Sequence, residues 1–172
     1  MNDPHTKLIV LRGPSGSGKS SVAKMVRDSQ KSPMALVEQD YLRRVILREK
    51  DASDGSHIEF IKTTALFALD HSYNVIMEGI FDAGRYEKMF EELVQHHPQN
   101  NHFFYFDVSF NETLRRHQTK PNKNDFGEIE MRRWYKEKDL LQCVRERLIP
   151  ETNTLEESVR LVLSASDLET SF

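Results

Sequence analysis

Short runs of apolar residues alternate along this chain with longer segments whose apolar positions recur every three or four residues. The run KLIVLR (7–12) reads as a buried strand, because four consecutive apolar residues leave no polar face. From Lys19 to about Lys31 the spacing turns helical, with Val22, Met25 and Val26 on one side. MALVEQ (34–39) predicts a second strand, and 41–50 a helix with Leu42, Val45 and Ile46 on one face. After the loop DASDGSH, Ser56 and Glu59 have the spacing of a capping box for a helix carrying Ile58, Ile61, Ala65 and Leu69. NVIMEGIF (74–81) predicts a third strand, and 85–97 a strongly amphipathic helix with Tyr86, Met89, Phe90, Leu93 and Val94. The turn PQNN leads into a fourth strand, HFFYFDVSF (102–110). A helix from Asn111 breaks at TKPNKNDFG and a helix resumes over about 128–142. A short strand near 145–149 and a helix over 154–164 close the chain. Strands alternating with helices imply an α/β fold with a parallel sheet covered on both faces.

Composition narrows the class. A length of 172 residues predicts one domain, 1–172, and 38% hydrophobic with 30% charged residues suits a folded globular chain. The net charge of −3 gives no global attraction for nucleic acid or an anionic membrane. A single cysteine, Cys143, excludes an internal disulfide framework. The apolar run Leu8–Leu11 is too short for a signal peptide or a membrane span, so a cytoplasmic protein is expected, a monomer or weak dimer.

Between the first strand and the first helix lies GPSGSGKS, which matches G-x-x-x-x-G-K-[ST] from Gly13 to Ser20. Gly13, Gly16 and Gly18 let backbone N–H groups, with those of Ser15, Ser17 and Ser21, turn inward around an anion, and the following helix adds its positive end. Lys19 would reach the β- and γ-phosphates of a nucleotide, and the Ser20 hydroxyl would ligate Mg²⁺. Kinases, switches and motors share such a cradle, so the chemistry has to come from elsewhere.

Asp40 follows the second strand, where a parallel sheet places its ligands. A carboxylate there can take the proton of an attacking hydroxyl, or serve only as the N-cap of the next helix. Arg43, three residues on, could hold an anionic group of the acceptor. In VIMEGIFD an acid ends a hydrophobic strand, the form of a Walker B segment: Glu78 would serve Mg²⁺ through water, with Asp82 as competitor. Arg115, Arg116, Lys120 and Lys123 crowd a segment rich in Pro, Asn and Gly, which predicts a basic lid over about 113–127, Arg116 lying against the nucleotide. Inside it, NKND (122–125) matches the N-K-x-D that reads guanine, but it follows a polar segment and not a buried strand, so the match is assigned to chance.

With these pieces in place, the chain resembles the small P-loop kinases of the adenylate-kinase-like group, which includes gluconate kinase, chloramphenicol phosphotransferase, zeta toxins and the polynucleotide 5′-hydroxyl kinase. The similarity is greatest to small bacterial kinases with no firm acceptor, and it extends to ETLRRHQT, FGE and RRWYKEKDLL. It implies a five-stranded parallel sheet in order 2-3-1-4-5, a phosphate loop at Gly13–Ser20 and a lid after the fourth strand. QDYLR is similar to the polynucleotide kinase pattern, in which an aspartate base precedes an arginine by three residues; here these are Asp40 and Arg43. The usual Walker B aspartate is replaced by Glu78, and no nucleic-acid channel is legible.

The expected function is therefore phosphorylation of a small-molecule hydroxyl by Mg·ATP, with Asp40 as base and Arg115 and Arg116 stabilising the transferring charge. The alternatives are a polynucleotide or nucleotide kinase and, from another class, a nucleotide-binding switch acting on a protein partner. The acceptor would be held by residues of 41–60 and 80–90, with Arg43, Arg44, His57, Phe60, Arg85 and Tyr86 as candidates beside Asp40 and Glu78. Such a mixed lining suits a polar acceptor, anionic or ring-bearing.

Overall fold

The computed structural model describes residues 5–119 and 123–168. Five strands form one parallel sheet: β1 (Leu8–Arg12), β2 (Met34–Glu38), β3 (Asn74–Gly79), β4 (Asn101–Asp107) and β5 (Arg147–Pro150). Their order is β2-β3-β1-β4-β5, as the resemblance implies. Six α-helices are described: α1 (Lys19–Asp28), α2 (Ser56–Asp70), α3 (Ala83–His96), α4 (Phe110–His117), α5 (Glu128–Trp134) and α6 (Leu155–Ala165). None is long and apolar enough to cross a membrane.

β1 lies at the centre of the sheet and its five residues are all buried. Its register sets Leu11 beside Glu78 of β3 and Phe104 of β4. The pleat sends Leu8 and Val10 to one face, where they pack with Ile61 and Leu69 of α2 and Phe90 and Leu93 of α3. It sends Ile9 and Leu11 to the other face, against Val22 and Val26 of α1 and Val162 of α6. This two-sided burial explains why the central strand reads as an unbroken apolar run.

Three expectations change. The helix foreseen over 41–50 is a π-helical turn, Tyr41–Ile46, closed by a hydrogen bond from Leu47 N–H to the Leu42 carbonyl at 3.1 Å. Leu42 is buried, but Val45 and Ile46 are exposed, and Arg48 at φ 56° ends the turn. The capping box at Ser56 does not form: Gly55 caps α2, the Ser56 hydroxyl donates to Glu49, and Glu59 pairs with Lys62 at 2.7 Å. The box forms at α6, where Thr154 and Glu157 exchange hydrogen bonds. The helix foreseen over 128–142 stops at Trp134, and the chain continues in irregular form to β5.

A buried ion cluster holds that irregular segment. Arg12, at the end of β1, is fully buried and donates to both carboxylate oxygens of Glu146 at 2.7 and 2.8 Å. It also donates to the carbonyls of Phe81 (2.7 Å) and Asp139 (3.0 Å). Glu146 in turn accepts from Leu141 N–H, and Glu87 accepts from the N–H groups of Gln142 and Cys143. Side chains thus supply the hydrogen bonds that a longer α5 would have made. Glu146→Gln, which leaves a buried guanidinium short of its counter-charge, is expected to destabilise the fold by about 3 kcal/mol in urea unfolding. The double variant Arg12→Met/Glu146→Leu should recover part of that loss.

Candidate active site

The loop after β1 opens at the carboxyl ends of the central strands. Gly13, Gly16 and Gly18 have φ of 143°, 83° and 104°. A Cβ on Gly13 would lie 2.9 Å from Phe106 Cβ, and one on Gly16 would lie 2.8 Å from the Thr113 carbonyl oxygen. Both the left-handed backbone and the close approach therefore require glycine. Gly18 leads into α1, whose first turn holds no acidic residue, so the positive helix end is not neutralised from within.

Lys19 is buried, and its ammonium donates to the Pro14 carbonyl at 2.7 Å and to Ser17 Oγ at 3.2 Å. Ser20 Oγ donates to Glu78 Oε1 at 3.1 Å. Glu78, the penultimate residue of β3, lies beside Glu38 of β2 and is 7% exposed. Burial pushes its carboxyl above the usual carboxylate range, against the opposing pull of Lys19 and of the Ser20 hydroxyl. Of the two acids weighed for the metal, Glu78 is thus the one bonded to Ser20. Asp82 pairs with Lys136 and lies 3.7 Å from Arg85. Burial acts to raise Asp82, but the Lys136 bond and charge outweigh it and hold its carboxyl low.

Asp40 lines the same cleft as Ser15, Gly16, Gly18, Lys19, Ser20 and Glu78. Its side chain makes no capping hydrogen bond. Its Oδ1 accepts from Arg43 at 2.8 Å, and its Oδ2 lies 3.6 Å from Arg44. Tyr41, Arg44 and Phe126 also line the cleft.

On the opposite side of the loop, a second cavity is lined by Ser17, Ser21, Arg115 and Arg116, with Thr154 and Ser158 from the α6 end. Arg116 bridges this region: it donates to the Ser17 carbonyl at 2.8 Å, the Glu151 carbonyl at 2.7 Å and Glu112 at 2.7 Å. Arg115 is mostly exposed and bound to Glu112. Their hydrogen bonds push the Glu112 carboxyl down to about 2. Thr113 and His117 of the foreseen lid are buried in α4, while Lys120 and Asn122 lie outside the described residues. Lys123–Asp125 sit in a turn before α5, and the element preceding that region is a helix, not a strand.

The acceptor candidates divide. Arg43 also donates to the Glu49 carbonyl at 3.2 Å, and Arg85 lies 3.0 Å from Asp51. His57 and Tyr86 are fully buried, whereas Phe60 packs against the core. Sequence reasoning missed Arg12, Glu49, Asp51 and Phe126. Phe126 carried a signal, being an aromatic residue in an otherwise polar segment.

A family model described as an AAA domain matches residues 8–143, and the chain belongs to that family. No curated protein matches it in sequence. Among solved structures it is similar to an APS kinase of Mycobacterium tuberculosis in complex with AMPPNP and APS, at 17% identity, covering 96% of this chain and 99% of that one with a TM-score of 0.71. It is similar to a sugar kinase from Janibacter sp. HTCC2649 at 15% identity, covering 95% of each chain with a TM-score of 0.70. It is also similar to a gluconokinase from Sinorhizobium meliloti 1021 at 20% identity, covering 94% of this chain and 91% of that one with a TM-score of 0.64. The fold is that of the small P-loop kinases.

A raised carboxyl on Glu78 means that its ionised form costs stability once the pH lies above the folded-state value. Glu78→Gln is therefore expected to raise the nucleotide-free melting temperature at pH 7 by on the order of a few degrees. The gain should shrink as the pH falls and Glu78 takes up its proton. Thermal unfolding of both proteins across that range checks this.

Proposed function

We propose that the protein is an ATP-dependent kinase that transfers the γ-phosphate of Mg·ATP to a hydroxyl of a small molecule. The observation that carries this reading is the sharing of one cleft by Lys19, the Ser20–Glu78 pair and Asp40. A switch needs the first two; a carboxylate on the acceptor side is what transfer to a hydroxyl adds. The fold shared with proteins named gluconokinase, sugar kinase and APS kinase supports a small acceptor.

The residues fit both cofactors. Gly13 and Gly16 stand where a Cβ would collide, so the loop backbone can close around a phosphate chain with no side chain in the way. Ser20 and Glu78 offer hard oxygen donors, which suit Mg²⁺. Mg²⁺ typically takes few protein ligands, so the lack of a cluster of three or more acidic, His or Cys residues among the described residues is no obstacle. When bound, Mg²⁺ supplies charge neutralisation at the phosphate oxygens. Lys19 adds its ammonium at the β- and γ-phosphates, where charge moves during transfer. Asp40 accepts the acceptor's hydroxyl proton while Arg43 and Arg44 hold its carboxylate in place. Arg116 braces the loop through the Ser17 carbonyl beside the second cavity.

Incubation with γ-labelled ATP and a panel of acceptors, including gluconate, other sugar acids, sugars and APS, tests the assignment. Lys19→Ala should fold and lose transfer by on the order of 10²-fold or more. Near-normal activity in that folded variant would overturn the kinase reading. Asp40→Asn should leave Mg·ATP affinity nearly unchanged and lower transfer by roughly 10²–10⁴-fold. Full activity would remove Asp40 from the mechanism, and weakened Mg·ATP binding would reassign it to the metal.

A further inference from the structure

Residues 47–55 form a strap between the π-helical turn and α2. Asp51, in its middle, has both carboxylate oxygens engaged. Oδ1 accepts from the Tyr86 phenol at 2.9 Å and lies 3.3 Å from His57 Nε2. Oδ2 lies 3.0 Å from Arg85 Nη1, which also donates to the Asp51 carbonyl at 2.8 Å. A guanidinium, a phenol and an imidazole converging on two oxygens is how a protein holds a bound oxyanion.

The cradle is built more firmly than its occupant. Tyr86 and His57 are fully buried on helices. Burial and the adjacent Asp51 carboxylate raise the Tyr86 phenol well above its usual range, so it stays a donor. The strap is tied at Glu49 and Asp51, while Arg48, Lys50, Ala52, Ser53 and Asp54 are exposed and Arg48 is left-handed. The fit is also incomplete. His57 Nδ1 meets Glu49 at 2.9 Å, yet Nε2 is buried, turned toward Asp51 and without a well-aligned hydrogen bond. Arg43 joins the cradle to the chemistry, because it donates both to Asp40 and to the strap's Glu49 carbonyl.

We propose that Arg85, Tyr86 and His57 form an oxyanion site for the phosphate acceptor, and that Asp51 fills it as a tethered stand-in. An acceptor carrying a carboxylate, phosphate or sulfate group displaces Asp51 and releases the strap; a neutral acceptor leaves the strap in place. The assignment of this site to the acceptor rests on the kinase reading, whereas the site itself does not.

Inorganic phosphate is the probe, titrated into protein already loaded with Mg·AMPPNP so that the phosphate loop is filled. Failure to bind Mg·AMPPNP would sink the kinase reading alone and is seen in that first titration. In the loaded protein, Asp51→Asn removes the tethered competitor and should bind phosphate about tenfold more tightly or better. Adding Arg85→Met should abolish the gain. Equal affinity in the parent and Asp51→Asn, or a gain that survives Arg85→Met, would overturn the oxyanion site. If Asp51→Asn fails to fold, hydrogen exchange on the unaltered loaded protein decides. Saturating phosphate should speed exchange at 48–55, and unchanged protection there would overturn the proposal.

Discussion

The whole site hangs on two backbone approaches that tolerate no side chain. Gly13 sits against Phe106 of β4, and Gly16 sits under the Thr113 carbonyl of α4. Because the loop is pressed onto α4, Arg116 reaches the Ser17 carbonyl and, beyond it, the Glu151 carbonyl. Glu151 also accepts from Ser109 N–H, at the residue that caps α4. One tight contact thereby fixes the phosphate loop, the helix that braces it and the β5–α6 connection that walls the second cavity. Any residue larger than glycine at position 16 would separate all three.

Around that fixed centre the charges are arranged against stability. Glu78 is buried with its ionised form disfavoured, close to Glu38 and Asp40 on the same end of the sheet. Lys19 is buried too, folded onto the Pro14 carbonyl. Such groups are retained where chemistry needs them, and the surrounding fold has to offset their cost. Two apolar layers on the faces of β1 do so, and they stop where the strands end and the polar cleft begins.

What could be read from the sequence follows from this division. Burial on both sheet faces imposes long apolar runs, so the strands, their order by resemblance and the glycine loop were all legible, as was Glu78 at the end of an apolar strand. Arg12 was not, since its partner Glu146 lies 134 positions away and hydrophobic period carries no information about charge pairing. The same blindness extended α5 to 142: Leu140 and Leu141 continue a plausible helical pattern, but the chain there is claimed by Arg12, Glu87 and Glu146. The turn at 41–46 failed for a related reason. Its apolar residues match an α-helix, yet Val45 and Ile46 have no core to face, and the bonds widen to the π form.

The Asp40 side of the cleft obeys different physics from the glycine loop. The phosphate loop is held by close backbone packing, which cannot shift by small steps. The Asp40 side of the cleft is held by a run of polar contacts: Asp40 to Arg43, Arg43 to the Glu49 carbonyl, Glu49 to His57, then Asp51, Arg85, Asp82 and Lys136. The more exposed pairs on this side, such as Asp40 to Arg44 and Lys136 to Asp82, contribute little individually, whereas His57 is buried. A change at Asp51 alters what Arg85 and His57 meet, and through Glu49 it reaches the guanidinium that orients Asp40. The proposed oxyanion site and the proposed base are then two ends of one polar chain, while the loop on the other side of the cleft stays fixed by its glycines.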